Sequence, residues 1–205
     1  MNRRHPLANL LTGGLLAVGL LSVSACSAGQ APQADQPAAS APASASSGDD
    51  VLERLGVQGK DAVATIDALD RSQDKRPIEG LKASVKADQL VLSDSTGERS
   101  LPLPADEFYL SIAPYLQTTH ECFAHSLSGC QGEQVNKKMH VVITDQTGKK
   151  LVDEDVTTAT NGFVGFWLPR DVKGTVTATM DGKTGSVPFA TNSDSPTCLT
   201  TLRMA

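Results

Sequence analysis

From Leu81 to the C-terminus, the sequence consists of short runs in which apolar and polar residues alternate, and turn signals separate these runs. In the first run, Leu81, Ala83 and Val85 occupy every second position, which places their side chains on one face of a strand. Later runs are separated by Asn161-Gly162 and Asp181-Gly182, dipeptides that favour tight hairpins. Many short strands of this kind predict an antiparallel sandwich or a small barrel. The other predicted strands cover residues 89–92, 108–112, 139–144, 151–156, 163–168, 174–180, 185–190 and 198–203.

Two helices are predicted before the first strand, over residues 51–55 and 61–71. In the second helix, Ala62, Ile66 and Leu69 fall on one face and form an apolar stripe. We interpret this stripe as a packing and dimerisation element with no chemistry of its own. The predicted fold class is therefore α+β and mainly β, with short N-terminal helices followed by an antiparallel β-sandwich-like domain.

The N-terminus has the pattern of an export signal. Arg3 and Arg4 precede an apolar stretch, Leu7 to Val23, that is too short and too rich in glycine for a transmembrane helix. The stretch ends in Val23-Ser24-Ala25-Cys26, which resembles the lipobox of bacterial lipoproteins. We therefore expect the Cys26 sulfur to carry a diacylglycerol, which holds the protein at a membrane surface. The alternative is an ordinary secretory signal in which Cys26 is incidental.

Composition divides the rest of the chain. With residues 1–25 as the signal peptide, residues 26–50 are almost wholly Ala, Pro, Ser, Gln, Gly and Asp and predict a disordered tether. The folded part then comprises an N-terminal helical and β region, residues 51–104, used for dimerisation, and a C-terminal β domain, residues 105–205. We expect the protein to be extracytoplasmic and lipid-anchored, facing either a periplasm or the cell surface.

The charge pattern and the absence of catalytic motifs exclude several functions. The chain has a formal net charge of −5, which becomes more negative when Arg3 and Arg4 leave with the signal, and its basic residues are scattered. Nucleic acid is therefore not an expected partner. Ser126 is adjacent to His125, too close for a nucleophile and its base, and no G-x-S-x-G motif surrounds it. Hydrolase and transferase chemistry therefore have no sequence support.

The cysteines carry the strongest chemical signal. The chain has four, and if Cys26 is lipidated the remaining three, Cys122, Cys130 and Cys198, are an odd number, which structural disulfides alone do not explain. Two of them lie in a segment that also contains His120 and His125. Thiolate favours Cu(I), and imidazole suits copper or zinc, so these residues predict a copper site. Zinc fits less well because no tight structural zinc spacing is present. His140 is a further candidate ligand, whereas Met139 and Met204 are interpreted as core residues.

Two alternatives stay open for the thiols. A disulfide between Cys122 and Cys130 would close a small loop and leave Cys198 buried and inert, as an exported compartment favours. Reduced thiols would instead bind Cu(II) and pass electrons to it, because two thiolates that become one disulfide release two electrons. The second mechanism requires that the fold bring Cys198 beside Cys122 and Cys130. In the first case, the protein is an immunoglobulin-like surface module with a structural disulfide.

Five segments carry a family resemblance: Ile112-Ala113-Pro114-Tyr115, Thr119-His120-Glu121-Cys122, Cys130-Gln131-Gly132-Glu133, Trp167-Leu168-Pro169-Arg170 and Pro196-Thr197-Cys198. They resemble the CueP family of periplasmic copper-binding proteins, and the resemblance covers essentially the whole mature domain. The resemblance implies copper, as Cu(I) or Cu(II), sequestered outside the cytoplasm, Cu(II) reduction, and delivery to an acceptor protein. It also implies helices used for a homodimer and a β domain that holds the thiols. A protein that reduces disulfides is a further expected partner. On this basis Cys122, Cys130 and Cys198 are the redox thiols and metal ligands, and His120 and His125 complete the site.

Overall fold

The computed structural model describes residues 51–205 and begins with two helices, α1 (Val51–Arg54) and α2 (Ala62–Asp70). Asp61 is the N-cap of α2, and its side chain accepts a hydrogen bond from the Ala64 amide at 2.8 Å. A helix of nine residues is marginal by itself in water, so α2 depends on packing. Its predicted stripe is confirmed as buried, and Ile66 and Leu69 each contribute about 1.5–3 kcal/mol through their full burial.

The strands follow the predicted pattern with a few additions. Most predicted strands are present within one or two residues of their expected ends. The sequence did not predict β3, the partner of β2 in a hairpin, or the two-residue strand β5. The strands are β1 (Lys82–Val85), β2 (Gln89–Asp94), β3 (Gly97–Pro102), β4 (Glu107–Ile112), β5 (His125–Ser126), β6 (Lys138–Asp145), β7 (Lys150–Thr157), β8 (Val164–Pro169), β9 (Lys173–Met180), β10 (Lys183–Ala190) and β11 (Cys198–Leu199).

Within residues 51–205 these strands form three sheets. Their strand orders are β3-β2-β1-β5, β10-β9-β6-β7 and β11-β4-β8. The strand pairs are antiparallel except β4 and β11, which are parallel. The prediction of an α+β, mainly β fold with antiparallel, sandwich-like packing is confirmed. The last predicted strand, residues 198–203, is shorter than expected, because beyond Leu199 it retains a single bridge between Tyr115 and Arg203.

The three-stranded sheet is buried on both faces. From β4, Phe108, Leu110 and Ile112 enter a core shared with β6, β9 and β10, while Tyr109 enters a second core with α1, α2, β1 and β2. The expectation that this strand alternates between core and solvent was therefore wrong for Tyr109 and Ser111, which are also buried. Two cores thus meet at β4.

The N-terminal elements and the later strands share contacts. β5 pairs with β1, although it lies beyond the predicted boundary at residues 104 and 105. The apolar stripe of α2 packs within the same chain, so its burial does not require a second copy. That boundary and the dimer remain predictions. Among residues 51–205, no helix is long and apolar enough to cross a membrane.

Candidate metal centre

The three thiols of the folded part converge. Cys122 and Cys198 form a disulfide with a Cα–Cα distance of 5.6 Å, although 76 positions separate them in the sequence. Cys130 is free, and its Sγ lies 3.5 Å from Cys122 Sγ. Cys198 therefore lies beside the other two sulfurs, as the reduction mechanism requires. The alternative expectation, a Cys122–Cys130 disulfide with Cys198 inert, was wrong about the pairing, because the fold places Cys198 against Cys122.

Cys198 reaches the site through the parallel pairing of β11 with β4. In this register, Cys198 lies opposite Ser111. The preceding residue, Thr197, ties three segments together: its hydroxyl accepts from the His125 amide at 3.0 Å and donates to the Val85 carbonyl at 2.6 Å. Its own amide donates to the Phe123 carbonyl at 2.9 Å. These contacts hold Cys198 against the segment that carries the other thiols.

The segment that carries His120 and Cys122 has no regular secondary structure, so side-chain anchors position it. The Glu133 carboxylate accepts hydrogen bonds from the amides of Leu116, Gln117 and Thr118 at 2.8, 3.0 and 3.1 Å. These three backbone donors lower the pKa of Glu133 below its ordinary value. The Thr119 hydroxyl donates to the Thr200 carbonyl at 2.6 Å. The Glu133 anchor holds the segment beside the residues that follow Cys130, and the Thr119 anchor holds it beside the residues that follow Cys198.

Cys130 is positioned by a tight turn after β5. The amides of Gly129 and Cys130 both donate to the Ser126 carbonyl, at 3.2 and 2.9 Å. The Ser126 amide in turn lies 3.4 Å from Cys130 Sγ, where it can donate to the sulfur. Because β5 is itself held by β1, the turn fixes the direction of the Cys130 side chain.

The converged residues form two overlapping sets of metal-binding atoms. In each set, the donor atoms of its three residues lie within 4.8 Å of one another. His120, Cys122 and Cys130 form the outer set, which is partly exposed, and His125, Cys130 and Cys198 form the inner set. Cys130 belongs to both. Thiolate and imidazole donors at these distances suit Cu(I), provided that the disulfide is reduced so that Cys122 and Cys198 can ligate.

His125 and Cys130 favour each other's charged forms. Burial alone raises the pKa of the Cys130 thiol, but hydrogen bonds from His125 and His120 and the positive charge of protonated His125 lower it from 9.0 to about 7. Burial lowers the pKa of His125, but Asp70 and Cys130 outweigh this effect and raise it. Cys130 is therefore a thiolate more often near neutral pH than an ordinary cysteine is, and the thiolate is the metal-binding and nucleophilic form.

Sequence reasoning missed two residues beside the site. Asp70, the last residue of α2, places Oδ1 3.8 Å from His125 Nε2, and the Tyr109 hydroxyl donates to its Oδ2. The other ring nitrogen, His125 Nδ1, lies 3.6 Å from Cys198 Sγ. The interpretation of α2 as a packing element without chemistry therefore omitted Asp70. No local motif marks an aspartate at a helix end as a partner of a histidine 55 positions later.

The remaining candidates lie elsewhere. Both ring nitrogens of His140 already face carboxylates, with Nδ1 2.8 Å from Asp155 and Nε2 3.0 Å from Asp153. Met139 and Met204 are buried in the core between the sheets, as expected. The predicted lipidation site, Cys26, and the predicted signal and tether, residues 1–50, lie outside the described residues.

The chain is similar to known copper-binding proteins over most of the folded part. A family model described as "Periplasmic copper-binding protein CueP" matches residues 64–203. A solved structure, "Crystal Structure of S.CueP", superposes with a TM-score of 0.71 and 44% sequence identity, covering 78% of this chain and 99% of that chain. No curated protein matches the chain. The residues matched by the family model include both sets of donor atoms.

Proposed function

The chain belongs to the CueP family of periplasmic copper-binding proteins, and on this basis we propose that its thiols reduce Cu(II) and retain the Cu(I) that results. The observation that supports this proposal is the placement of the thiols. Cys122 and Cys198 are close enough to be bonded, while a third sulfur, Cys130, lies 3.5 Å from Cys122 and is not consumed by the bond. One pair can therefore supply electrons while another thiolate stays available to the metal.

The reduction step balances without a further reactant. Two Cu(II) ions, the substrate, each accept one electron from the reduced Cys122 and Cys198 thiolates. The S–S bond forms between these sulfurs, and two Cu(I) ions result. Any proton that a thiol still carries leaves to solvent. The Cys122–Cys198 disulfide is then the oxidised product, and each further cycle needs a reductant.

Cu(I) retention is assigned to Cys130 with the histidines. In the oxidised state, Cys130 is the thiolate that both donor sets still offer, with His120 on the exposed side and His125 on the buried side. In the reduced state, Cys122 and Cys198 complete the sets. Soft thiolates prefer Cu(I) to zinc or harder ions. The reduced site therefore binds Cu(I), the product, in preference to Cu(II), the substrate.

Two partners follow from this cycle: a thiol protein that reduces the disulfide, and an acceptor that takes Cu(I). Cys122 is the more accessible sulfur of the disulfide, because Cys198 is 2% exposed. The neighbouring Phe123 is 63% exposed and borders a cleft of about 350 Å³ next to Ala124 and Thr197. An exposed aromatic beside a half-buried disulfide supports docking of the reductant at Cys122.

We place the protein outside the cytoplasm, since the family is periplasmic, and propose that lipid on Cys26 anchors it to the membrane. The support is the order of charge, apolar run and small residues before Cys26. Cys26→Ser is expected to remove labelling of the protein by a radioactive fatty acid fed to the cells. Ser27→Ala is the matched control and should keep the label. Equal labelling of the Cys26→Ser protein would disprove the anchor.

The redox proposal is tested on the full chain carrying Cys26→Ser, so that only the three thiols of the site are counted. After reduction and removal of the reductant, about three free thiols are expected per chain. Addition of Cu(II) should lower this count to about one and release about two Cu(I) to a chromogenic chelator. Unchanged thiols after Cu(II) addition would rule out reduction and favour the alternative of a surface module with a structural disulfide.

A further inference from the structure

We propose that Asp70 is a positioning residue for copper: its carboxylate accepts the Nε2 proton of His125 and thereby keeps Nδ1 directed at the sulfurs of Cys130 and Cys198. The inference rests on the proposed function, because it assigns Asp70 a role toward the ligand His125. It brings α2 into the site, although this helix was predicted to have no chemistry. It also gives a role to the half-buried carboxylate of Asp70, whose Oδ1 is buried.

The first support is a pair of buried polar atoms without hydrogen-bond partners. Among the described residues, Asp70 Oδ1 and His125 Nε2 both belong to this group, and they face each other across 3.8 Å. An unsatisfied buried donor or acceptor costs about 1–3 kcal/mol. A movement of less than about 1 Å would bring the two atoms within hydrogen-bond distance and satisfy both. Each atom is thus the available partner of the other.

The second support is the way in which the fold holds the carboxylate. The Tyr109 hydroxyl donates to Asp70 Oδ2, which leaves Oδ1 for His125. Gly165 lies directly against this pair: a Cβ at that position would overlap the Tyr109 hydroxyl and lie 2.6 Å from Asp70 Oδ2. The absence of a side chain at Gly165 therefore makes room for the contact. Asp70 is fixed by α2 on one side and by β4 and β8 on the other.

The third support is that the two ring nitrogens of His125 have different roles. A carboxylate only accepts hydrogen bonds, so Asp70 requires that Nε2 carry the proton. The lone pair of neutral His125 then resides on Nδ1, which lies 3.6 Å from Sγ of Cys198, another member of the inner donor set. Metal-binding histidines commonly donate their other ring N–H to a carboxylate, which fixes the tautomer and the ring orientation. Asp70 occupies the place of that carboxylate.

The test is Asp70→Asn in the reduced protein. Tyr109 donates its hydroxyl proton, so it turns the carbonyl oxygen of the substituted amide toward itself and the NH₂ group toward His125. The amide NH₂ group and the Nε2–H of His125 are then two donors that face each other when His125 binds copper through Nδ1. We expect the affinity for Cu(I), measured by competition with a chelator, to fall about 10- to 100-fold. Asp67→Asn is the matched control, because Asp67 lies on the same helix but accepts from Trp167 at 3.2 Å, and its affinity should equal that of the wild type.

A second variant separates positioning from a general structural effect. Adding Tyr109→Phe to Asp70→Asn removes the hydroxyl that orients the amide, so the amide can turn its oxygen toward Nε2. Cu(I) affinity is then expected to recover by about tenfold, a partial rescue that two independently destabilising substitutions would not give. Nitrogen-15 NMR of Cu(I)-bound protein should detect the Nε2 proton of His125 hydrogen-bonded in the wild type and shifted in Asp70→Asn.

Two outcomes distinguish the failure of this inference from that of the proposed function. If His125→Ala and Cys130→Ser lower Cu(I) affinity while Asp70→Asn binds like the wild type, Asp70 has no positioning role and the proposed site still stands. Loss of affinity in Asp70→Asn with no rescue by Tyr109→Phe would also overturn the positioning role. If His125→Ala and Cys130→Ser both retain full affinity, the proposed site fails and this inference fails with it.

Discussion

A protein that carries both Cys122→Ser and Cys198→Ser is expected to lose Cu(II) reduction completely. These two sulfurs form the bond in which the electrons originate. When the double substitution is made in the Cys26→Ser protein, Cys130 is the one thiol left and has no partner within the chain. One thiolate cannot form an intramolecular disulfide, so the yield of Cu(I) should fall from about two per chain to the background of the assay. The measurement is Cu(I) captured by a chelator from reduced protein at low concentration, where two chains rarely meet.

The matched control is Cys130→Ser, which removes the third sulfur and leaves the pair intact. It should still yield about two Cu(I) per chain but retain the ion less tightly, because both donor sets include Cys130. Single replacement of Cys198 is less informative, since Cys130 Sγ lies 3.5 Å from Cys122 Sγ and can form a substitute bond. Full Cu(I) yield from the double variant would show that the electrons come from elsewhere.

Arg76→Ala is expected to lower the free energy of unfolding by about 2–5 kcal/mol, the largest stability effect of a single substitution that we predict, because each buried carbonyl left without a donor costs about 1–3 kcal/mol. Arg76 is 3% exposed, and its guanidinium donates to the Leu127 and Leu69 carbonyls, each at 2.8 Å. A third hydrogen bond reaches the Asp74 carbonyl at 2.5 Å. Truncation removes the charge-assisted donors and leaves buried carbonyls without partners. Urea denaturation of the oxidised protein measures the loss.

Arg71→Ala is the control for this experiment, since the Arg71 side chain is 74% exposed and its ion pair with Asp67 spans 3.9 Å. An exposed pair of this kind contributes about 0–1 kcal/mol, so the control should remain close to the wild type. A loss below about 1 kcal/mol for Arg76→Ala would contradict the role assigned to Arg76. Because Arg76 connects the end of α2 to the turn before Cys130, its loss should also weaken Cu(I) binding.

Local sequence patterns predicted most of the strands because hydrophobic alternation and turn residues act over a few neighbours. The stripe of α2 and the hairpin at Asp181-Gly182 are of this kind. The sequence did not predict β3, the second strand of the hairpin with β2, because Glu98, Arg99 and Ser100 form no apolar face. The two-sided burial of β4 could not be predicted either, because it depends on which elements pack against each face.

The site also has one feature that the sequence predicts, the preferred metal, and one that it does not, the disulfide pairing. The residue types of the thiol and histidine cluster already indicated a soft metal, since ligand preference is a property of the side chains themselves. The disulfide partner of Cys122 could not be obtained in this way. Cys130, eight positions away, was the nearer candidate in the sequence, but the parallel pairing of β11 with β4 brings Cys198 into bonding distance instead.

The sequence by itself determined the mainly β architecture, the three candidate thiols and the preference for copper, because short-range periodicity and ligand chemistry need no knowledge of distant contacts. Only the tertiary structure decided which thiols pair, that Cys130 lies between two donor sets, and that Asp70 faces His125. These features join residues separated by 76 and by 55 positions. Contacts of that range depend on how sheets and helices pack, and no local pattern encodes them.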